Sequence, residues 1–222
     1  MIFTLGFLLD KDIRMKSILP VVVFNFLFAT SSAQLSKDIP AFRKIDTSEL
    51  TMNDCSFAPG APAMHLLKYE EVTLFVFPNS TTQVVTLTRY RIKILKKSGF
   101  KYASVVIDYG KNESKITNVE GATYNLDEEG KIKATPVDKS DIFEVKTSKK
   151  KKTIAFTFPQ VKEGSVLEYQ FTRKDKRSYF IPSWYFQSSI PNLLSACKIN
   201  RPYFSMLQKK VIGDWPLDNQ FK

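Results

Sequence analysis

The sequence predicts an all-β protein, mainly an antiparallel β-sandwich, and three observations predict it. Aromatic residues are plentiful, with 18 Phe and 9 Tyr among 222 residues, and aromatics suit a pleated, half-buried surface. From residue 66 onward, short apolar runs alternate with clusters of Pro, Gly, Asn and Ser, the grammar of strand and turn. One stretch, 156–169 (FTFPQVKEGSVLEY), sets two aromatic-rich runs about a polar turn at Lys162, Glu163 and Gly164. Gly reaches φ > 0 without a Cβ clash, so the stretch reads as a β-hairpin. Phe156, Phe158, Val166 and Tyr169 are its expected sheet-packing side chains.

The first element in order is a targeting segment. Lys16 supplies a positive start, Ile18 to Ala29 an apolar core, and Ser31-Ser32-Ala33 the small residues of a cleavage site before Gln34, the pattern of a secretory signal peptide over 1–33. Met15 reads as the true start, because Asp10, Lys11, Asp12 and Arg14 interrupt the apolar run before it. Cleavage removes three basic and two acidic residues, so the basic excess belongs to the exported domain. Residues 34–65 form an approach segment and linker. Thr47 or Ser48 ahead of Glu49 is expected to cap a short helix, and Pro59-Gly60-Ala61-Pro62 to end it.

Residues 66–222 are the expected β-sandwich domain. Leu66 to Phe77 is a first strand. Val84 to Leu95 is the clearest, with Tyr90, Ile92 and Ile94 on one face and Arg89, Arg91 and Lys93 on the other. That period of two predicts one buried and one solvated face. Tyr102 to Tyr109 follows the turn at Ser98-Gly99. Ile116 to Leu126 pairs with Lys131 to Val137 through Asp127-Glu128-Glu129-Gly130, and Ile142-Phe143 leads into a lysine run. Tyr179 to Phe186 and Leu193 to Ile199 are further strands. Nine or ten short strands indicate a sandwich or open barrel.

Net charge is +11 with a pI near 9.5, suited to anionic partners; an exported chain is not expected to meet nucleic acid. Two basic runs stand out: Lys149, Lys150, Lys151 and Lys152, then Arg173, Lys174, Lys176 and Arg177 about Asp175. The first reads as a solvated hairpin loop or a charged edge that discourages sheet aggregation. The anion-binding reading, a phosphate or lipid-headgroup patch, gains weight if the two runs fall at one end of the sandwich. Trp184 and Phe186 are expected in the core with Tyr185 outward.

Catalytic signals are weak. Cys55 and Cys197 have no C-x-x-C or zinc-type spacing, and either one disulfide or two separate thiols is open to them. His65 is the one histidine, so no mechanism needing two imidazoles fits, and no cofactor or metal is expected. Glu163 and Glu168 read as solvated. Ser165 lacks the G-x-S-x-G elbow of a nucleophile, and a Cys55–His65 pairing has no oxyanion hole nearby.

Four ordered motifs carry a resemblance: RIKILKKSG (91–99), EGATYNLDEEGKI (120–132), FTFPQVKEGSVLEY (156–169) and IPSWYFQSSIP (181–191). Over about 66–205 the chain resembles the N-terminal domain of unknown function in exported transglutaminase-like proteins of Gram-negative bacteria. The resemblance implies a periplasmic or cell-surface β-sandwich that precedes, in cis, a papain-like core holding a catalytic Cys, His and Asp. No such core follows residue 205 here, and neither Cys55 nor Cys197 matches that nucleophile. The expectation is therefore a non-catalytic accessory domain, C-terminally truncated. The alternative is a stand-alone envelope module that binds anionic glycan or lipopolysaccharide, a glycan or lipid partner, through its basic loops.

Overall fold

The structure, a computed structural model, describes residues 39–79, 81–176, 181 and 183–201. The signal segment, Arg177 and Tyr179 lie outside the described residues, and the architecture below is that of the unit Phe42–Lys209. Among the described residues no helix is long and apolar enough to cross a membrane.

The approach segment forms α1 (Thr47–Thr51). Asp46 caps it, accepting from Ser48 N, while the Glu49 carboxylate reaches back to Asp46 N in a capping box; each satisfies a backbone donor at the helix start. The expected caps, Thr47 and Ser48, fall inside the helix. Then come β1 (Ala63–Val76), β2 (Thr82–Ile94), a 3₁₀ segment (Lys97–Ala103), β3 (Ser104–Gly110), β4 (Ser114–Leu126) and β5 (Ile132–Pro136). β6 (Phe143–Lys146), β7 (Lys151–Thr157), β8 (Val166–Lys176) and β9 (Ser195–Asn200) complete the described strands.

They make a six-stranded sheet in the order β5-β4-β8-β2-β1-β9 and a three-stranded sheet β3-β7-β6. All pairings are antiparallel except β1 with β9, which is parallel. Ile92, Ile94, Ile116 and Leu167 of the larger sheet pack against Val105, Ile107, Ile154 and Phe156 of the smaller, so the two sheets form a sandwich as expected. Each such side chain fully withdrawn from water contributes about 1.5–3 kcal/mol.

The stretch 156–169 is not a hairpin. β7 pairs only within the small sheet and β8 only within the large one, so residues 158–165 arch between sheets. The arch is too long for a tight turn and carries its own anchors. Phe158 is buried and Val161 packs on the core, while Glu163 accepts from Lys97 N at 2.7 Å. Gly164 does hold the left-handed conformation, φ +86. Phe156 and Phe158 meet edge to face and both approach Tyr169, giving this arch the aromatic centre of the core.

A second correction concerns 183–194. The expected strand ending at Phe186 is irregular chain over its described residues, and regular pairing resumes only at β9. Tyr185 points outward at 72% exposed as expected, but Phe186 is also exposed, and Trp184 lies over the Lys68 ammonium at 4.7 Å.

Candidate functional site

The alternation in β2 places Arg89, Arg91 and Lys93 on the sheet face away from the sandwich core, where the expectation was solvent. They are 6%, 1% and 0% exposed. The reason is the approach segment, which lies across this face: Leu50 and Cys55 pack with Met64, Leu66, Ala122, Tyr124 and Val166. Glu168, in register with Arg91 on β8, is fully buried, contrary to the solvated reading. Its Oε1 accepts from Arg89 at 3.0 Å and from Arg91 at 2.8 and 3.0 Å, and its Oε2 accepts from Arg43 N at 2.7 Å. Arg91 also donates to Glu49 at 2.6 Å and to Lys44 O at 3.0 Å. Glu49 thus caps α1 with one oxygen and holds β2 with the other.

Lys93 completes this fastening. Its ammonium donates to Leu50 O at 2.7 Å and Gly164 O at 2.6 Å, tying α1 to the arch beneath an open groove of about 420 Å3. Burial pushes the Lys93 amine down to about 8, with Glu49 opposing the fall. Arg43 sits at φ 65, a costly conformation for a residue with a Cβ, held where its amide reaches Glu168. The sequence signal for this cluster was an acid, Glu168, set between apolar neighbours in a strand. In buried ion pairs of this kind desolvation offsets much of the attraction.

At the opposite end of β8 the two basic runs come together. β6 and β7 form a hairpin whose turn carries Lys149 and Lys150, as the solvated-loop reading expected. The connection from β3 to β4 crosses between the sheets and joins the runs: Lys111 N donates to Lys150 O at 2.9 Å, and Lys176 N to Glu113 O at 2.8 Å. Lys149, Lys150, Lys151, Lys174 and Lys176 are exposed. Two others are engaged internally. Lys152 pairs with Glu144 at 2.5 Å, and Arg173 reaches across to Asp108 O at 2.7 Å with Asp175 at 3.7 Å.

The residues considered for catalysis are kept apart or spent on the fold. Cys55 packs on the outer face with Met64, whereas His65 faces inward beside Tyr90, ring centroids 5.5 Å apart. Both cysteines are free; Cys197 shares the inward row with Glu70, on the face away from Cys55. Burial pushes the Cys197 thiol up to about 11 and the His65 imidazole down to about 4, Lys68 adding to the latter. At neutral pH the one is a thiol and the other uncharged. The Ser165 hydroxyl is buried, donating to Asn125 at 2.6 Å and accepting from Lys162 N at 2.8 Å. Among the described residues no group of three His, Cys, Asp or Glu is placed to hold a metal.

A family model described as "Domain of Unknown Function with solved-structure structure (DUF3857)" matches residues 80–218. Among solved structures, the chain is similar to the crystal structure of a "putative protease" from Parabacteroides distasonis ATCC 8503, at 12% sequence identity and a TM-score of 0.39. That likeness covers 54% of this chain and 24% of the other, so the chain spans about a quarter of that protein's length. No curated protein matches.

Proposed function

Since the chain belongs to the DUF3857 family of domains of unknown function, we propose that it is a non-catalytic accessory domain to a transglutaminase-like core in the same polypeptide, exported to the periplasm or cell surface of a Gram-negative bacterium. The observation that carries this reading is how the four motifs of the resemblance are used. Residues 91–99 supply Arg91 and Lys93 to the buried cluster, and 120–132 form the β4–β5 hairpin. Residues 156–169 form the arch and its aromatic centre, and 181–191 lead to the junction where His65 N donates to Pro191 O at 2.8 Å. Each of the four serves the scaffold. The open reading frame beyond the codon for Lys222 tests the proposal: a continuing frame with a Cys, His and Asp core is expected, and unrelated sequence after a stop overturns it. Export is tested by N-terminal sequencing of the mature protein, with Gln34 expected first.

A second reading, binding of an anionic polymer, is favoured by the meeting of the two basic runs at one end of the sandwich. Clustered lysines release counterions and attract polyanions in a salt-dependent way. Retention on an anionic polysaccharide is expected to weaken when Lys149–Lys152 are replaced by glutamine; unchanged retention, or none in the unmodified protein, overturns it.

A further inference from the structure

We infer that the uncovered part of the larger sheet's outer face is a docking surface for an anionic lipid bilayer. This deepens the second reading, on which it rests through Lys174 and Lys176, by naming the polyanion. Among the described residues, the approach segment covers the outer face near the start of β1 and leaves the far end of the β1–β2 hairpin bare. There Phe75 and, two residues on, Phe77 are each 44% exposed. Val85 and Leu87, half-buried, stand on the same face as Phe75, since Phe75 pairs with Gln83 and the side chains alternate from there. The neighbouring strands carry lysine in the same rows: Lys176 pairs with Gln83, Lys174 with Val85, and Lys115 with Lys174. All three are exposed. The carboxylate of Glu71 on this face is already taken up by Lys198 at 2.9 Å and Asn200 at 2.7 Å, and Glu113 stands in the adjoining turn.

Two exposed phenylalanines flanked by three lysines form the two-signal surface that peripheral membrane binding requires. Apolar side chains enter the boundary between headgroups and acyl chains, and each lysine near an anionic leaflet adds electrostatic attraction that salt screens. Charge complementarity favours an anionic partner, and the phenylalanines favour lipid over glycan. A phenyl ring has no polar handle for sugar hydroxyls, whereas it gains from an apolar layer.

The test is co-sedimentation of the full chain with vesicles of phosphatidylcholine, with and without phosphatidylglycerol, at low and high salt, beside retention on soluble dextran sulfate. Binding is expected to vesicles containing phosphatidylglycerol and to fall with salt. Phe75→Ser with Phe77→Ser is expected to reduce that partition by about tenfold, since each exposed ring contributes only part of its transfer free energy, while dextran sulfate retention stays the same. Lys115→Gln, Lys174→Gln and Lys176→Gln together are expected to weaken both. All five positions are exposed, and unchanged thermal unfolding of both variants verifies the fold. Equal vesicle binding by the Phe75/Phe77 variant and the unmodified chain overturns the lipid inference. Binding to dextran sulfate without vesicle binding overturns it in favour of glycan, and the second reading then survives. Equal binding to vesicles lacking phosphatidylglycerol refutes the electrostatic half. Absence of binding to either ligand sinks both readings.

Discussion

Replacing Glu168 by glutamine keeps the shape of the side chain but removes the charge that Arg89 and Arg91 share. Both guanidiniums are buried, and among the described residues Arg91 keeps Glu49, whose side chain is 19% exposed, as a carboxylate partner. Breaking a buried pair from one side costs about 3–5 kcal/mol, because the remaining charge has lost its compensation. Since Glu49 still serves Arg91, the lower figure, about 3 kcal/mol, is expected. With a urea m-value of about 2 kcal/mol/M, the unfolding midpoint falls by about 1.5 M at unchanged slope. The Arg43 amide, released from Glu168, exchanges faster with deuterium than in the unmodified protein. Glu120→Gln is the control. Its pair with Arg43 is exposed at 62% and 40%, so a change within about 0.5 kcal/mol is expected. If Glu168→Gln moves the midpoint no more than Glu120→Gln does, water reaches the cluster, and the argument that the approach segment seals it fails.

Three further perturbations probe other parts of the fold. The His65 imidazole, lowered by burial, is expected to titrate by NMR near 4, and with one histidine in the chain the assignment is direct. The unfolded chain takes up that proton near 6.5, so stability from this group is present above 6.5 and lost as pH falls towards 4; a midpoint near 6.5 refutes the burial argument. Lys93, lowered to about 8 from an unfolded value near 10.4, carries a cost below pH 8 that lifts as pH rises through the window. The stability of the unmodified protein relative to Lys93→Met should therefore rise by about 2 kcal/mol between about pH 7.5 and 9.5, and a flat difference counts against the burial of the charge. At Gly99 a Cβ would stand 2.3 Å from Pro62 O, a backbone atom. Gly99→Ala is expected to cost about 1–3 kcal/mol in denaturant unfolding, and a neutral result means the 3₁₀ segment shifts freely.

Much of the sandwich was legible because strand periodicity is local. The alternation over 88–95, the β4–β5 hairpin about Gly130, φ +75, and the core role of Phe156 and Phe158 follow from neighbouring residues alone. Pairing is not local. The same apolar and glycine signals at 156–169 serve a hairpin or an arch, and only the partners of β8, which lie in β2 and β4, decide between them. The basic face of β2 reads as solvated because arginine and lysine usually are. Its burial depends on Glu49 and Glu168, residues far along the chain whose acidity gives no hint of what they meet. The two lysine-rich runs were visible as composition, while their meeting required the β3–β4 crossover. Aromatic content misled at 183–186, where Trp184 serves to cover Lys68 rather than to continue a strand.

The parallel pairing of β1 with β9 bears on how the domain can be assembled and divided. β1 lies between β2 and β9, yet it precedes residue 80, where the family match begins. A polypeptide cut at residue 80 would lose the strand that joins β2 to β9, leaving β2 as a raw edge and β9 without its neighbour. A piece that keeps β2 paired on both sides and Arg91 paired with Glu49 must reach back through β1 to the segment holding Glu49. During synthesis, moreover, β1 waits for β9 to be made before its second side is filled. Closure over such a separation is slow, and until then its unpaired backbone offers a template to any other extended chain.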